Sequence, residues 1–303
     1  MAMVTPFLKW AGGKRQLMNE IMSLLPSQFL QFDTYVEPFL GGGSVLINIL
    51  GSEFTGKVVA GDLNPDIILC YQMIKSKSTE LIDELEGFQQ NIPPDMEIRK
   101  KFYYKLRKEW NASVNRADKL SNKEQIRRSA LTITLNKMCF NGLFRLNSKG
   151  EFNVPMGGNK KVTIYSKENL IELSRMFRKV EFICGDYQEI LRSIDRNKRC
   201  FFYFDPPYRR LKETSSLTVY NADPFDDNQQ LRLRDFVDLL VDSGHDFLLS
   251  NSDPKNVDAE DDFFDEAYKK YHIKRILARR SINSKADGRG KISELLIYSN
   301  SQT

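Results

Sequence analysis

Four large apolar residues in a row, Phe201-Phe202-Tyr203-Phe204, constrain this chain more than any other feature. A strand with one wet face alternates apolar and polar side chains, whereas an unbroken apolar run is buried on both faces. Such a strand belongs inside a mostly parallel sheet with helices on either side. It stops at Asp205-Pro206-Pro207-Tyr208, because proline cannot donate to a sheet ladder. In open parallel sheets the ligand crevice lies at the carboxyl ends of the strands, so a carboxylate, a rigid corner and an aromatic ring should meet there. Asp205 can accept hydrogen bonds from an amino group, a proline carbonyl can accept a second, and Tyr208 offers a face for a flat base. These groups suit the exocyclic amine of a nucleobase. An Asp-Pro-Pro corner is also ordinary turn punctuation, so the tetrapeptide alone leaves both readings open.

The rest of the chain supports the sheet. Thr34-Tyr35-Val36 is a short strand running into Glu37-Pro38-Phe39 and Gly41-Gly42-Gly43, and residues 44–50 fit a helix. Lys57 to Ala60 is a second strand ending at Gly61-Asp62, and Asn64-Pro65 supplies an N-cap with proline at the first helical position. From about Ser76 to Tyr165 the strand–helix alternation stops in favour of charged helical sequence, then Asn, Gly and Lys. Strand character returns at Val180 to Cys184, before Gly185-Asp186. Leu233, Phe236, Val237, Leu240 and Val241 mark an amphipathic helix ended by Gly244, and Asp246 to Asn251 is another buried strand. Ile273 to Leu277 and Glu294 to Tyr298 pair as a final hairpin across a tip at 284–290. The expected architecture is α/β, with residues 1–75 and 166–303 as the sheet domain and 76–165 as an insertion.

With 303 residues the chain can bury one large α/β core plus an insertion. No apolar run approaches the ~20 residues that cross a bilayer, and the N-terminus lacks signal-peptide character. No membrane partner and a cytoplasmic location are therefore expected. Cys70, Cys139, Cys184 and Cys200 are scattered and read as reduced thiols, and the two histidines lack metal-ligand spacing, so no metal is expected. Residues 99–161 carry 16 Lys/Arg against 4 Asp/Glu, a local +12 within an overall +5, so the remainder sums to −7. An acidic body with one basic segment suggests a polyanion partner. Within it, Arg127 and Arg128 read as solvated surface.

Gly41-Gly42-Gly43 permits close backbone approach, and Asp62 follows the last glycine by 19 residues, the spacing of a ribose-binding acid. GxGxxG fails because position 46 is leucine, which disfavours a nicotinamide cofactor. Lys9-Trp10-Ala11-Gly12-Gly13-Lys14 opens a helix, and free N–H groups with a lysine there suit a carboxylate. A phosphate loop is excluded because position 8 is leucine.

In order, Phe7 to Lys14, Glu37 to Gly43, Gly61-Asp62-Leu63-Asn64, Phe140 to Pro155 and Asp205 to Tyr208 resemble the motifs of the Dam-type DNA adenine-N6 methyltransferases. Arg289 to Leu296 resembles that family's C-terminal hairpin. The resemblance spans nearly the whole chain. It implies a Rossmann-like methyltransferase sheet, a helical DNA-recognition insertion with a β-hairpin, S-adenosylmethionine as donor, and transfer to an adenine flipped out of duplex DNA, with GATC as the usual site. By resemblance, Trp10, Ala11, Gly12 and Lys14 line the methionine end, Phe39, Gly41 and Gly43 lie along the cofactor, and Asp62 takes the ribose hydroxyls. Asp186 sits near the cofactor adenine, and Asp205, Pro206, Pro207 and Tyr208 act on the target base. Lys9 reaches an outer guanine, Phe140 wedges into the stack, and Asn141 stands beside the vacated base. Leu143 touches a thymine methyl, Arg145 forks onto guanine, and Asn147 and Asn153 meet phosphates.

Residues 209–221 are polar and placed to close over the base. The chain departs from the family at Gly157-Gly158-Asn159, where a Gly-Arg-Tyr is usual, so the resemblance does not carry over one phosphate contact and one outer-base contact. A monomer is expected. Two alternatives stay open: a sister enzyme acting on RNA or a protein glutamine, and a non-catalytic DNA-binding module.

Overall fold

The computed structural model describes residues 4–10, 12–113, 120–159, 161–195, 197–209, 225–279 and 291–299. Ala11, the segment expected to close over the base beyond Arg209, and the 284–290 tip with Arg289 lie outside these residues.

Seven strands form one sheet: β1 (Thr34–Glu37), β2 (Lys57–Asp62), β3 (Val180–Cys184), β4 (Cys200–Phe204), β5 (Asp246–Ser252), β6 (His272–Arg279) and β7 (Lys291–Tyr298). Their order is β3-β2-β1-β4-β5-β7-β6. The first five run parallel, and β7 is antiparallel to both neighbours. The order reverses between β1 and β4, which puts the switch point where Glu37 and Asp205 end their strands. The apolar run in β4 behaves as its composition demands. Phe201 and Tyr203 enter the core on one face of the sheet, and Phe202 and Phe204 enter the core on the other. Each fully buried ring contributes roughly 1.5–3 kcal/mol.

Helices α1 (Met18–Ser23), α2 (Ser44–Leu50) and α3 (Pro65–Ser76) follow the early segments. Asn64 caps α3 by accepting from the Asp66 and Ile67 amides. Between α3 and the next strand come α4 (Ser78–Gln90), α5 (Met96–Asn111) and α6 (Asn122–Met138), where the insertion was expected, with a capping box between Ser121 and Glu124 opening α6. The chain returns through α7 (Lys167–Phe177), and α8 (Asp227–Asp242) and the short α9 (Phe263–Ala267) cover the far face. Leu81, Leu85, Trp110 and Leu131 of α4, α5 and α6 share one continuous core with Ile67, Tyr71 and Phe177.

Two sequence expectations change here. Arg128 is not solvated surface, and Arg127, though part-exposed, is held in ion pairs. Arg128 is buried and forks onto Asp66 at 2.5 and 3.1 Å. Arg127 bridges Glu84 and Glu109 at 2.8 and 2.7 Å. The helical period that carries them also turns them toward α3 and α4, where carboxylates wait. The hairpin between residues 139 and 156 is held by two isolated bridges, Cys139↔Met156 and Leu146↔Phe152, not by a continuous ladder. The backbone groups of Phe152 and the carbonyl of Val154 are taken by α5. Asn111 exchanges hydrogen bonds with the Phe152 amide and carbonyl, and Tyr103 donates to the Val154 carbonyl. Among the described residues no helix is long and apolar enough to cross a membrane, and no cluster of His, Cys, Asp and Glu could hold a metal ion.

Candidate active site

Parallel pairing brings the strand ends to one edge. Past β1 the chain turns with the Leu40 amide on the Gly61 carbonyl, and past β3 the Gly185 amide meets the Asp62 carbonyl. Asp62 accepts the Gly41 amide on one oxygen at 2.8 Å and the Asn64 amide on the other at 2.9 Å. Burial pushes its carboxyl up, and these two amides hold it back. Gly41 and Gly43 have φ of +45° and +66°. A side chain at Gly41 would begin 2.5 Å from the Trp10 ring, and one at Gly43 2.4 Å from the Tyr71 hydroxyl. The glycines therefore admit Trp10 and Tyr71 to the turn, a reason the sequence did not disclose.

Asp205 is the centre of a polar cluster. Its Oδ1 binds Lys14 Nζ at 2.7 Å and accepts from Ser250 Oγ at 3.1 Å. Its Oδ2 and the Pro206 carbonyl have no hydrogen-bond partner among the described residues. Burial raises the Asp205 carboxyl above the ordinary range, while Lys14 and Ser250 pull it down. Lys14 is itself buried; it follows the left-handed Gly12 (φ +77°), donates to the Gly12 carbonyl at 2.7 Å, and lies 4.7 Å from the Tyr208 ring centre. The helix opening at Lys14 is only a three-residue 3-10 turn. The lysine reaches across to β4 and does not project from a long helix terminus. Tyr208 donates to Glu294 of β7 at 2.8 Å. Gln230 of α8 donates to the Pro207 carbonyl at 3.0 Å and accepts from buried Asn251, whose own oxygen takes the Arg209 amide. Ser250, Gln230, Asn251 and Glu294 thus fix the tetrapeptide, and none was legible from spacing. Ser250, Asn251 and Glu294 leave a sequence trace as polar residues inside otherwise apolar strands, whereas Gln230 stands among other polar residues and leaves none.

Glu37 lies buried beside this cluster and accepts the Tyr35 hydroxyl at 2.7 Å. Desolvation raises its carboxyl to about 8, and the neighbouring Asp205 adds to the rise.

A cleft of about 540 Å³ opens next to Lys14 and is lined by Lys9, Trp10, Arg15, Lys137, Asn141 and Glu294 among others. It joins the N-terminal segment to the insertion. Asn136 clamps the two, accepting the Lys9 amide and donating to the Lys9 and Gly142 carbonyls at 2.8, 2.9 and 2.9 Å. Lys137 was not singled out by sequence. Burial, with Lys9 and Arg15 nearby, pushes its ammonium down to about 8. Phe140 is 50% exposed, an unusual state for a phenylalanine, and Asn141 adopts a left-handed φ of +54°. Leu143 is half-buried. Arg145 Nε donates to Asn153 Oδ1 at 2.8 Å. Asn147 closes the turn by accepting the Lys149 and Glu151 amides and donating to Glu151. The divergent Asn159 accepts from buried Arg99.

The third strand end is more occupied. Asp186 caps Gln188 and forks with Arg232 at 3.0 Å, while Arg232 lies over the Tyr187 ring. Phe39 packs 5.3 Å from Tyr187 and is half-buried. The donor set of this edge fits a sulfonium nucleoside. Each Asp62 oxygen keeps a lone pair for one of two vicinal hydroxyls, and the Phe39–Tyr187 pair provides an aromatic shelf. Asp186 spends both Oδ1 lone pairs on Gln188 and Arg232 and one of Oδ2 on Arg232, which leaves one on Oδ2 for an adenine amine.

A profile of the D12 class N6 adenine-specific DNA methyltransferases matches residues 10–282. The chain is 42% identical over 298 residues to the Type II methyltransferase M.MjaIII of Methanocaldococcus jannaschii, covering 97% of this chain and 98% of that one. It is 34% identical to the Type II methyltransferase M1.LlaDCHI of Lactococcus lactis subsp. cremoris, over 96% and 94% of the two chains. Its identity to the DNA adenine methylase of Escherichia coli K12 is 32%, over 96% and 93%.

Proposed function

This chain belongs to the D12 class of N6 adenine-specific DNA methyltransferases, and on that premise we propose that it methylates an adenine flipped out of duplex DNA, within GATC, using S-adenosylmethionine. The observation that carries the mechanism is the asymmetry of Asp205. One oxygen is fixed by Lys14 and Ser250, and the other has no partner among the described residues, next to the equally unpartnered Pro206 carbonyl. Two acceptors at a rigid corner match the two N–H bonds of an exocyclic amine. Hydrogen bonds from N6 to both draw the nitrogen out of conjugation and direct its lone pair away from the ring. They also stabilise the positive charge that grows on N6 during attack, in a site where burial strengthens them.

S-adenosylmethionine supplies the electrophilic methyl carbon when bound. Asp62 would hold its ribose, Phe39 and Tyr187 its base, and Trp10 with the Gly41–Gly43 turn its methionine end. Tyr208, anchored through its hydroxyl to Glu294, would stack on the target base for ~1–3 kcal/mol. That offsets part of the few kcal/mol that flipping costs.

Residues 76–165 would be the recognition unit. Phe140 would fill the gap left by the base, with Asn141 facing the orphaned partner. Lys9 would reach an outer guanine, Arg15 and Lys137 would neutralise phosphates at the cleft, Leu143 would touch a thymine methyl, and Arg145 would read guanine. The likeness to two Type II methyltransferases supports a modification role paired with a restriction enzyme.

The test is incubation with methyl-labelled S-adenosylmethionine and an unmethylated duplex holding one GATC. Label should appear as N6-methyladenine in that word, and 2-aminopurine at the target adenine should brighten on binding. Asp205→Ala should lower transfer by at least about 10²-fold with the fold intact by circular dichroism. Label on cytosine, or retained activity in the variant, would overturn the assignment.

A further inference from the structure

Arg145 is the residue in the recognition segment whose guanidinium is only partly used. Nε donates to Asn153, while Nη1 and Nη2 make no hydrogen bond among the described residues. Because Nε–H can only donate, the accepting atom of Asn153 must be its carbonyl oxygen. We propose that Asn153 is a specificity-positioning residue: it fixes Arg145 so that the paired Nη groups, and only they, face a guanine edge. The proposal rests on Arg145 being the base reader, and gives Asn153 a role distinct from phosphate contact.

The backbone around Asn153 explains why it can serve as an anchor. Phe152 and Val154, its neighbours, are buried. Asn111 of α5 holds both backbone groups of Phe152 at 2.9 and 3.3 Å, and Tyr103 and Arg107 both donate to the Val154 carbonyl at 2.8 and 3.3 Å. Asn153 sits between these two rivets, and its own amide meets the Arg145 carbonyl at 3.1 Å. Arg145 is flanked in turn by buried Phe144, which packs on Trp110 and Phe152. The two side chains therefore leave a rigid platform side by side. A guanidinium can approach O6 and N7 of guanine either end-on through Nη1 and Nη2, or sideways through Nε and one Nη. Holding Nε on Asn153 removes the sideways mode. It also orders a long side chain before DNA arrives, which concentrates discrimination on a single geometry.

The experiment uses the full chain and a pool of duplexes with randomised positions around one adenine, sequenced for methylated words. Arg145→Ala should flatten the guanine preference at one position. Asn153→Ala should weaken preference at that same position about fivefold, the factor expected from freeing one rotamer-rich side chain. Asn153→Asp keeps the acceptor but lacks the amide donor, so it should retain the preference. If Arg145→Ala flattens no position, the base-reading role itself fails. If Arg145→Ala flattens one position but Asn153→Ala lowers methylation of all words equally, with Asn153→Asp doing the same, Asn153 is a phosphate contact and the positioning role is wrong.

Discussion

Lys14 decides the charge of Asp205. Burial acts to keep this carboxyl protonated, and the largest opposing influence is the lysine 2.7 Å away. The proposed chemistry needs the ionised form, so activity should fall on the acid side, at a higher pH than for an ordinary carboxylate. Lys14→Met removes the charge and leaves burial unopposed. Its acid limb in kcat should move to higher pH, with kcat at pH 7 lower on the order of 10²-fold. A pH–rate profile checks this, and an unmoved limb would assign Lys14 to packing alone. At this scale the sequence singled out residues that the fold brings together, Lys14, Asp205 and Tyr208, and was poor about what they touch. Lys14 was expected to meet a ligand carboxylate but meets Asp205, far away in the chain. Gly41 was expected to admit a ligand, and what lies against it is Trp10. Such pairings depend on which strand lands beside which, and that is set by the whole sheet.

Strand β1 ends in a buried acid at the sheet's centre. Folded Glu37 keeps its proton to about pH 8, whereas in the unfolded chain it ionises near pH ~4.3. The folded state thus binds the extra proton between these values, so the stability associated with neutral Glu37 is complete below pH ~4 and is lost as pH rises toward 8. Asp62 and Asp205 are raised too and act in the same direction. The melting temperature of the protein should therefore decline from pH 6 to pH 9. Glu37→Gln, which cannot ionise, should flatten that decline by an amount on the order of a few kcal/mol. Differential scanning calorimetry across this range decides, and parallel curves for the two proteins would show that Glu37 is already ionised. The strands themselves were readable because a doubly buried strand has no polar alternation to confuse it with a surface helix. The hairpin at 140–155 was less so, since α5 satisfies backbone groups of Phe152 and Val154 that a hairpin expected from sequence would pair within itself.

Across the whole molecule, the basic segment divides its charge between folding and the partner. Arg99 is bound to the carbonyls of Pro93, Pro94 and Asn159, and Arg127 and Arg128 are spent on ion pairs. Counting charges along the chain therefore overstates the surface available to DNA. The Arg128–Asp66 pair matters most, because it ties α6 to α3, with the guanidinium 4.1 Å from the Trp110 ring centre. Removing one member leaves the other buried and unpaired. Arg128→Met should cost ~3–5 kcal/mol in urea unfolding, whereas Asp66→Leu combined with Arg128→Met should recover most of it, since desolvation roughly cancels the attraction in such pairs. The same variant separates the two uses of positive charge. A phosphate-contacting arginine would lower the slope of log affinity against log salt by about one unit when removed. Arg128→Met should leave that slope unchanged while lowering stability, and a reduced slope with unaltered stability would place Arg128 at the DNA rather than at the seam between α6 and α3.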